Sequence, residues 1–241
     1  MPDTANRSIS AGADSLSVFF PCYNEQDNIR RVYESAAQVL GNLGVDYELI
    51  LVDDGSTDQT PQIMEAIAAA DPRVVVVRHP ANLGYGAALR SGIRAATKTL
   101  VFYTDGDGQF DLSELPPLLP LMQRHDGVSG FRLDRREGLH RKFNAWCWTR
   151  LVCLLFRMEF KDINCAFKLF KRRVFEGMEL YSAGALINAE ILARATRRGY
   201  AVTQVGVHHF PRTRGQPTGA HPRVIFCAFR ELVKFYRQIN R

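Results

Sequence analysis

The sequence predicts an α/β domain, a mainly parallel sheet with helices on both faces. Short apolar runs recur through the N-terminal half, LSVFF at 16–20, YELILV at 47–52, RVVVVR at 73–78 and TLVFYTD at 99–105, separated by stretches of helical periodicity. Each run is apolar nearly throughout instead of on alternate residues, as strands covered on both faces must be. The chain can also close such a core unaided. With 241 residues, 46% of them hydrophobic, it can bury about 70–75% of its unfolded surface, so neither disulfides nor a structural metal is required.

The elements follow in order. Between the first two strands Ile29, Val32, Tyr33, Ala36, Val39, Leu40 and Leu43 form an i, i+3, i+4, i+7 stripe that should face the sheet. Thr57 or Asp58 is expected to cap the second helix, with Pro61 tolerated in its first turn. After HDGVSGFR (125–132) the alternation stops. Residues 139–158 are apolar on nearly every side, which reads as a helix either buried or resting against lipid. A strand near 164–170, a helix near 185–198, a strand near 201–208 and a last helix from Pro222 complete the series. That helix carries Ile225, Phe229, Leu232, Tyr236 and Ile239 on one face and Arg223, Arg230, Lys234, Arg237 and Arg241 on the rest. Without repeats or a linker, 16–241 reads as one domain. Residues 1–15 read as a disordered leader, since they lack the apolar stretch of a signal peptide. No apolar run approaches the roughly 18 residues of a membrane span.

Charge divides the chain. Residues 1–130 hold nine Lys/Arg against seventeen Asp/Glu, whereas 131–241 hold 22 against eight. An acidic half suits a divalent cation, and a basic half suits an anionic partner such as a phosphate or a membrane surface. Nucleic acid is excluded as a partner, because the arginines interleave with aliphatic faces and match no reading motif. The five cysteines lack any C-x-x-C pair and sit mostly in apolar runs, so they read as reduced and buried in a cytosolic protein.

Chemistry is expected just beyond the carboxyl ends of parallel strands. There the sequence is consistently polar: Pro21, Tyr23, Asn24 and Glu25 after the first strand, Asp53 and Asp54 after the second, Asn82, Gly84 and Gly86 after the third, and DGDGQ after the fourth. Asp105 and Asp107, separated by one glycine, can converge on one hard cation and leave sites for phosphate oxygens. An EF-hand reading fails for want of further oxygen ligands. Gly84-Tyr85-Gly86 lacks the third glycine of a dinucleotide fingerprint.

The ordered blocks FFPCYNE, LILVDDGSTD, NLGYGAALRSGI and VFYTDGDGQ resemble glycosyltransferase family 2, and within it the branch of dolichyl- and polyprenyl-phosphate mannosyltransferases and glucosyltransferases. The resemblance spans residues 16 to about 210. It implies a GT-A fold, a nucleotide-sugar donor (GDP- or UDP-hexose) and Mn²⁺ or Mg²⁺ at a D-x-D element. It further implies that Pro21, Tyr23, Glu25 and Asp53 hold the donor's base and ribose, with Asn24, Asp54, Asn82 and Gly84 beside them. Asp105 would face the nucleotide, with Asp107 and Gln109 at the metal. Residues 162–172, DINCAFKLFKR, resemble the block near the acceptor phosphate, and Arg212 and Gly215 a loop closing over the diphosphate. The chain departs from the family at Thr218 and Gly219, where serine and lysine are frequent, which leaves Arg212 and Arg214 to supply the charge.

The implied reaction is an inverting transfer of a hexose to a polyprenyl phosphate at the cytosolic face of a membrane, catalysed by a peripheral protein. Metal at Asp107 neutralises the departing diphosphate. The acceptor phosphate is already anionic, so Lys168, Lys171, Arg172 and Arg212 are the candidates to position it. A saccharide or protein hydroxyl as acceptor would instead need a carboxylate base, for which Asp162 and Glu190 are the candidates.

Overall fold

The computed structural model describes residues 15–133, 139–212 and 222–239, with backbone alone for 139–141 and 222–228. The leader up to residue 14, Arg214, Gly215, Thr218, Gly219, Arg241 and the side chains of Arg223, Ile225 and Cys227 lie outside the described residues. Ser15 lies within them, its backbone N–H donating to Thr99 Oγ1 at 2.9 Å.

Among the described residues seven strands form one sheet: β1 (Leu16–Cys22), β2 (Tyr47–Asp53), β3 (Val74–Arg78), β4 (Leu100–Tyr103), β5 (Gly127–Arg132), β6 (Lys168–Lys171) and β7 (Val202–Val207), in the order β3-β2-β1-β4-β6-β5-β7. β1 pairs in parallel with β2 and β4, and β2 with β3. β6 runs antiparallel to both neighbours, and β7 is parallel to β5. The sheet is therefore mainly parallel with one reversed strand, and the two halves of contrasting charge share it. β5 is the strand that the sequence analysis did not assign. Its GVSG stretch is glycine-rich with a single apolar residue, Val128, and it is a strand through pairing with β6 and β7 on either side.

Among the described residues six α-helices accompany the strands: α1 (Ile29–Gly41), α2 (Thr60–Ala70), α3 (Tyr85–Ala95), α4 (Leu139–Phe156), α5 (Leu186–Arg197) and α6 (Pro222–Ile239). Alternate strand residues divide between two cores. Val18, Phe20, Leu49 and Leu51 meet Ile29, Val32, Ala36 and Leu40 of α1 and Met64 and Ile67 of α2. Phe19, Ile50, Val52, Val101 and Tyr103 meet α3, α5 and parts of α4 and α6 on the other face. Coverage on both faces explains why all seven residues of β1 are buried. The chain runs β1-α1-β2-α2-β3 along one face and then crosses by α3 to β4 on the far side of β1. That reversal opens a crevice at the carboxyl ends of β1 and β4.

Three local expectations change. Gln59, not Thr57 or Asp58, occupies the N-cap of α2 and makes no side-chain cap bond, while Asp58 accepts the Thr60 N–H at 2.9 Å. α6 buries Leu232 and Phe235 but leaves Phe229 and Tyr236 exposed, so its inward stripe is rotated from the expected one. Cys22, Cys153 and Cys165 are free and buried, as expected, but Cys147 is exposed. It lies on α4, whose apolar residues are only partly enclosed. Val152 is buried, whereas Phe143 and Leu154 are 63% and 78% exposed.

Lys168 lies wholly buried at the start of β6, donating to Ser129 Oγ at 3.1 Å and to the Cys165 carbonyl. Burial pulls its pKa down to about 8 from the ordinary 10.5. Between those values the unfolded chain holds a proton that the folded chain has released, so stability rises with pH across the window and the penalty of the buried charge is felt below it. Relative to Lys168→Met, the native protein should gain about 2 kcal/mol between roughly pH 7.5 and pH 10 in urea unfolding. A pH-independent difference would show that the amine keeps its ordinary proton affinity.

Candidate active site

The loops after β1 and β2 are sewn together by polar side chains. Asn24 takes a left-handed conformation (φ 54), receives the Thr57 N–H on its Oδ1 at 2.8 Å and donates its own N–H to Ser56 Oγ at 2.9 Å. Glu25 N–H reaches Thr60 Oγ1 at 2.8 Å. Thus fixed, the first loop presents Tyr23 and Glu25 to the crevice. Asp53 is fully buried behind it, accepting the Ser56 N–H at 2.9 Å with Arg78 Nε 3.4 Å away. Asp54 shapes the next loop. Its carboxylate accepts the N–H groups of Leu83 and Gly84, each at 2.9 Å, and bonds His79 Nδ1 at 2.7 Å, while His79 Nε2 meets Ser91 Oγ at 2.8 Å. Gly84 has φ +93, where a side chain would be strained.

The acidic loop follows β4. Asp105 accepts the Tyr85 hydroxyl at 2.9 Å, and Asp107 accepts the Gln109 N–H at 3.0 Å. Gln109 then pairs with the segment after β7, exchanging main-chain and side-chain bonds with Phe210, each at 2.8 Å. This pairing brings Arg212 over the acids. One guanidinium nitrogen touches both Glu25 oxygens at 2.7 and 2.8 Å, and the other lies 3.9 Å from Asp107.

Electrostatically the site is short of positive charge. Burial, then the neighbouring Asp107, pushes Asp105 up to about 7. Burial also raises Asp107, against the Gln109 amide and Arg212, and raises Glu25 against Asn28 and Arg212. Such a pair of desolvated acids is stabilised by a cation. Among the described residues no group of three or more His, Cys, Asp and Glu forms a metal cage. Hard dications bound through one or two carboxylates and substrate phosphates need no such cage, so Asp105 and Asp107 fit the requirement. The imidazole of His209, which helps hold Asp107 ionised, lines the same space.

The cavity has a volume of about 880 Å³. Pro21, Tyr23, Glu25, Asp54, Asn82 and Gly84 line it. Asp105, Asp107, Gln109 and Arg212 line the remainder of the expected set. Asn24 and Asp53 stand behind this surface as supports. Five further expected residues stay outside. Register puts Lys171 opposite Leu100, at the far end of β4 from Asp105, with Asp126 3.4 Å from its amine, and the Arg172 N–H bonds Thr99 there. Lys168 is buried beneath the floor, and Glu190 holds the N–H groups of Tyr181 and Ser182. Asp162 is engaged by Arg132 at 2.7 and 3.1 Å, and it is Arg132 that lines the cavity.

Sequence reasoning missed Tyr85, Arg132, Asn164, Asn188 and His209, all of which line the cavity. Tyr85 stood inside the quoted NLGYG block. Asn188, a polar residue on the inward side of α5, accepts the Tyr103 hydroxyl at 3.0 Å. Arg132 was hidden because β5 was not assigned.

Residues 17–185 match the family model described as glycosyl transferase family 2. The chain belongs to glycosyl transferase family 2. The expectation of a glycosyltransferase domain therefore holds. Among curated relatives of this family-2 chain, the undecaprenyl-phosphate 4-deoxy-4-formamido-L-arabinose transferase of Shewanella sediminis is 30% identical over 84% of the chain and 61% of its own length. The dodecaprenyl-phosphate galacturonate synthase of Rhizobium johnstonii is 30% identical over 68% of the chain and 50% of its own length. The chain thus spans only about half to three-fifths of these two relatives. Glucosyl-3-phosphoglycerate synthase of Mycobacterium tuberculosis, solved with Mn²⁺, UDP and phosphoglyceric acid, superposes with a TM-score of 0.67 at 24% identity, covering 91% of this chain and 78% of its own. Mannosyl-3-phosphoglycerate synthase of Rubrobacter xylanophilus superposes at 0.70 with 17% identity, covering 95% and 75%. The GT-A expectation is borne out by these folds.

Metal binding requires deprotonated carboxylates. With Asp105 at about 7, Mn²⁺ affinity of the free protein should fall about tenfold per pH unit below that value. Calorimetric titration across that range tests this, and an affinity constant down to about pH 5.5 would exclude a raised carboxyl from the metal site.

Proposed function

We propose that the chain transfers a sugar from a nucleotide-sugar donor to a polyprenyl phosphate. The observation that carries the reading is the convergence of Asp105, Asp107, Glu25 and Arg212 on one cavity at the crossover of the sheet. The acceptor class is supported by the relatives, whose names specify undecaprenyl and dodecaprenyl phosphate. Uridine nucleotides are the first donors to test, since the M. tuberculosis fold neighbour is solved with UDP. A guanosine donor such as GDP-mannose, equally implied by the sequence resemblance, has no such support.

Asp107 and Asp105 would hold Mn²⁺ or Mg²⁺, which when bound neutralises charge on the departing diphosphate. Arg212, now paired with Glu25, is the cation within reach of that diphosphate, and the exchange would free Glu25 for the nucleoside end beside Pro21 and Tyr23. An acceptor phosphate oxygen bonds to the anomeric carbon as the bond to the diphosphate oxygen breaks on the opposite face, and configuration inverts. The acceptor arrives ionised, so no proton need be removed. The protein's own groups favour this acceptor over a hydroxyl. Asp162 is committed to Arg132, and Glu190 to the 181–182 backbone, so neither is available as a base. Among the described residues Arg132 and Arg212, not Lys171 and Arg172, are the arginine and lysine side chains that line the cavity.

A lipid acceptor requires access to a bilayer surface. Among the described residues no helix is long and apolar enough to cross a membrane. The peripheral cytosolic placement expected from the sequence rests instead on α4 and α6, which expose Phe143, Trp146, Leu154, Phe229 and Val233 among basic residues.

With radiolabelled UDP-sugars and polyprenyl phosphate, label should enter the organic phase only when Mn²⁺ or Mg²⁺ is present. Asp107→Ala should lower that rate on the order of 10²-fold. Transfer that persists in excess EDTA, or label that stays in the aqueous phase with every donor, would overturn the reading.

A further inference from the structure

Residues 181–185, of which Ala183, Gly184 and Ala185 line the cavity, have no regular secondary structure, and two carboxylates from different helices hold the backbone of 181–184. Glu190 of α5 accepts the Tyr181 and Ser182 N–H groups at 3.1 and 2.9 Å. Glu231 of α6 accepts those of Ala183 and Gly184 at 3.1 and 3.4 Å. The Ala183 carbonyl in turn receives the Gly86 N–H at 2.7 Å, in the first turn of α3. The approach is tight enough that a Cβ on Gly86 would stand 2.1 Å from the Ser182 carbonyl oxygen. Tyr85, beside Gly86, donates to Asp105. A continuous series of contacts therefore runs from α6 through Ala183 and the start of α3 to the acid pair.

α6 is an outer helix of particular composition. Glu231 is the one acidic residue in 222–239, against four basic ones, and it points inward at the wall. Leu232 and Phe235 are buried, while Arg230, Val233, Lys234 and Arg237 line a shallow surface groove of about 550 Å³. α4 packs beside it through Trp148 on Phe229 and Phe156 on Phe235, and adds exposed Phe143, Trp146 and Arg150. Cations interspersed with exposed aromatic and aliphatic side chains complement an anionic bilayer surface.

We propose that α6 both docks on an anionic bilayer and supports the cavity wall, with Glu231 as the positioning residue that conveys docking to Tyr85 and Asp105. The inference rests on the membrane-facing reading above and adds regulation of the same site. A surface that binds the seated arrangement of α6 better than a displaced one shifts the population toward the ordered wall by that difference in affinity and no more. The fixed wall holds Gly86, and with it the Tyr85 hydroxyl on Asp105.

The test is amide hydrogen exchange of the full chain with vesicles of phosphatidylcholine alone or with roughly a third phosphatidylglycerol, alongside co-sedimentation at low and high salt. Anionic vesicles should pellet the protein, salt should release it, and exchange in segments 82–90 and 179–188 should slow about fivefold. Glu231→Ala should still pellet but show no slowing, Glu231→Gln should recover part of it, and Arg230→Gln/Lys234→Gln/Arg237→Gln should not pellet yet exchange like the native protein without vesicles. Thermal unfolding of each variant separates loss of coupling from loss of fold. Absence of pelleting at low salt would overturn the docking, and pelleting without slower exchange, or slowing that survives in Glu231→Ala, would overturn the coupling. Since no donor or acceptor is used, these outcomes are separate from failure of the sugar-transfer reading.

Discussion

The structure depends on keeping several carboxylates together at the carboxyl edge of parallel strands while water is partly excluded. Glu25, Asp54, Asp105 and Asp107 all line the same cavity, and mutual repulsion would open that edge unless each were answered locally. Asp54 is answered by two backbone N–H groups and His79, which makes it part of the framework. Asp105 accepts one tyrosine hydroxyl, and Asp107 accepts a backbone amide with Arg212 3.9 Å away and His209 nearby, yet both are pushed upward in pKa by burial. The site thus keeps a deficit of positive charge beside Asp105 and Asp107.

Arg212 meets part of that deficit from the other end of the chain. It reaches Glu25 across 187 positions of sequence because β7 runs beside β5 and its following segment pairs with Gln109 and Phe110. A pair this well desolvated, with side chains only 18% and 9% exposed, is costly to break without a replacement partner.

The exposed apolar residues of α4 and α6 stand against the economy of the rest of the fold, where both faces of the sheet are thoroughly covered. Aromatic contacts such as Trp148 on Phe229 seat the two helices on each other, yet Leu154, Phe143 and Val233 remain in the open. Scattered apolar surface is ordinary, but on two neighbouring helices that also carry the basic residues it has the composition of an interface.

The sequence by itself determined the parallel core, the crevice acids and the family, because these depend on local apolar runs and on residues adjoining strand ends, where chemistry and chain position coincide. Tyr23, Glu25, Asp105 and Asp107 were legible for that reason, whereas Arg212 came only from the family resemblance. Only the tertiary structure decided what lies beyond strand ends. The antiparallel insertion of β6 carries Lys171 and Arg172 to the wrong edge of the sheet, although they stand only a few residues from Lys168. β5, glycine-rich and without an apolar run, becomes a strand through its neighbours and delivers Arg132 to the cavity. Whether an acid is available for chemistry or consumed by the backbone, as Glu190 and Glu231 are, depends on contacts with segments distant in sequence or in another element, and no spacing along the chain encodes them.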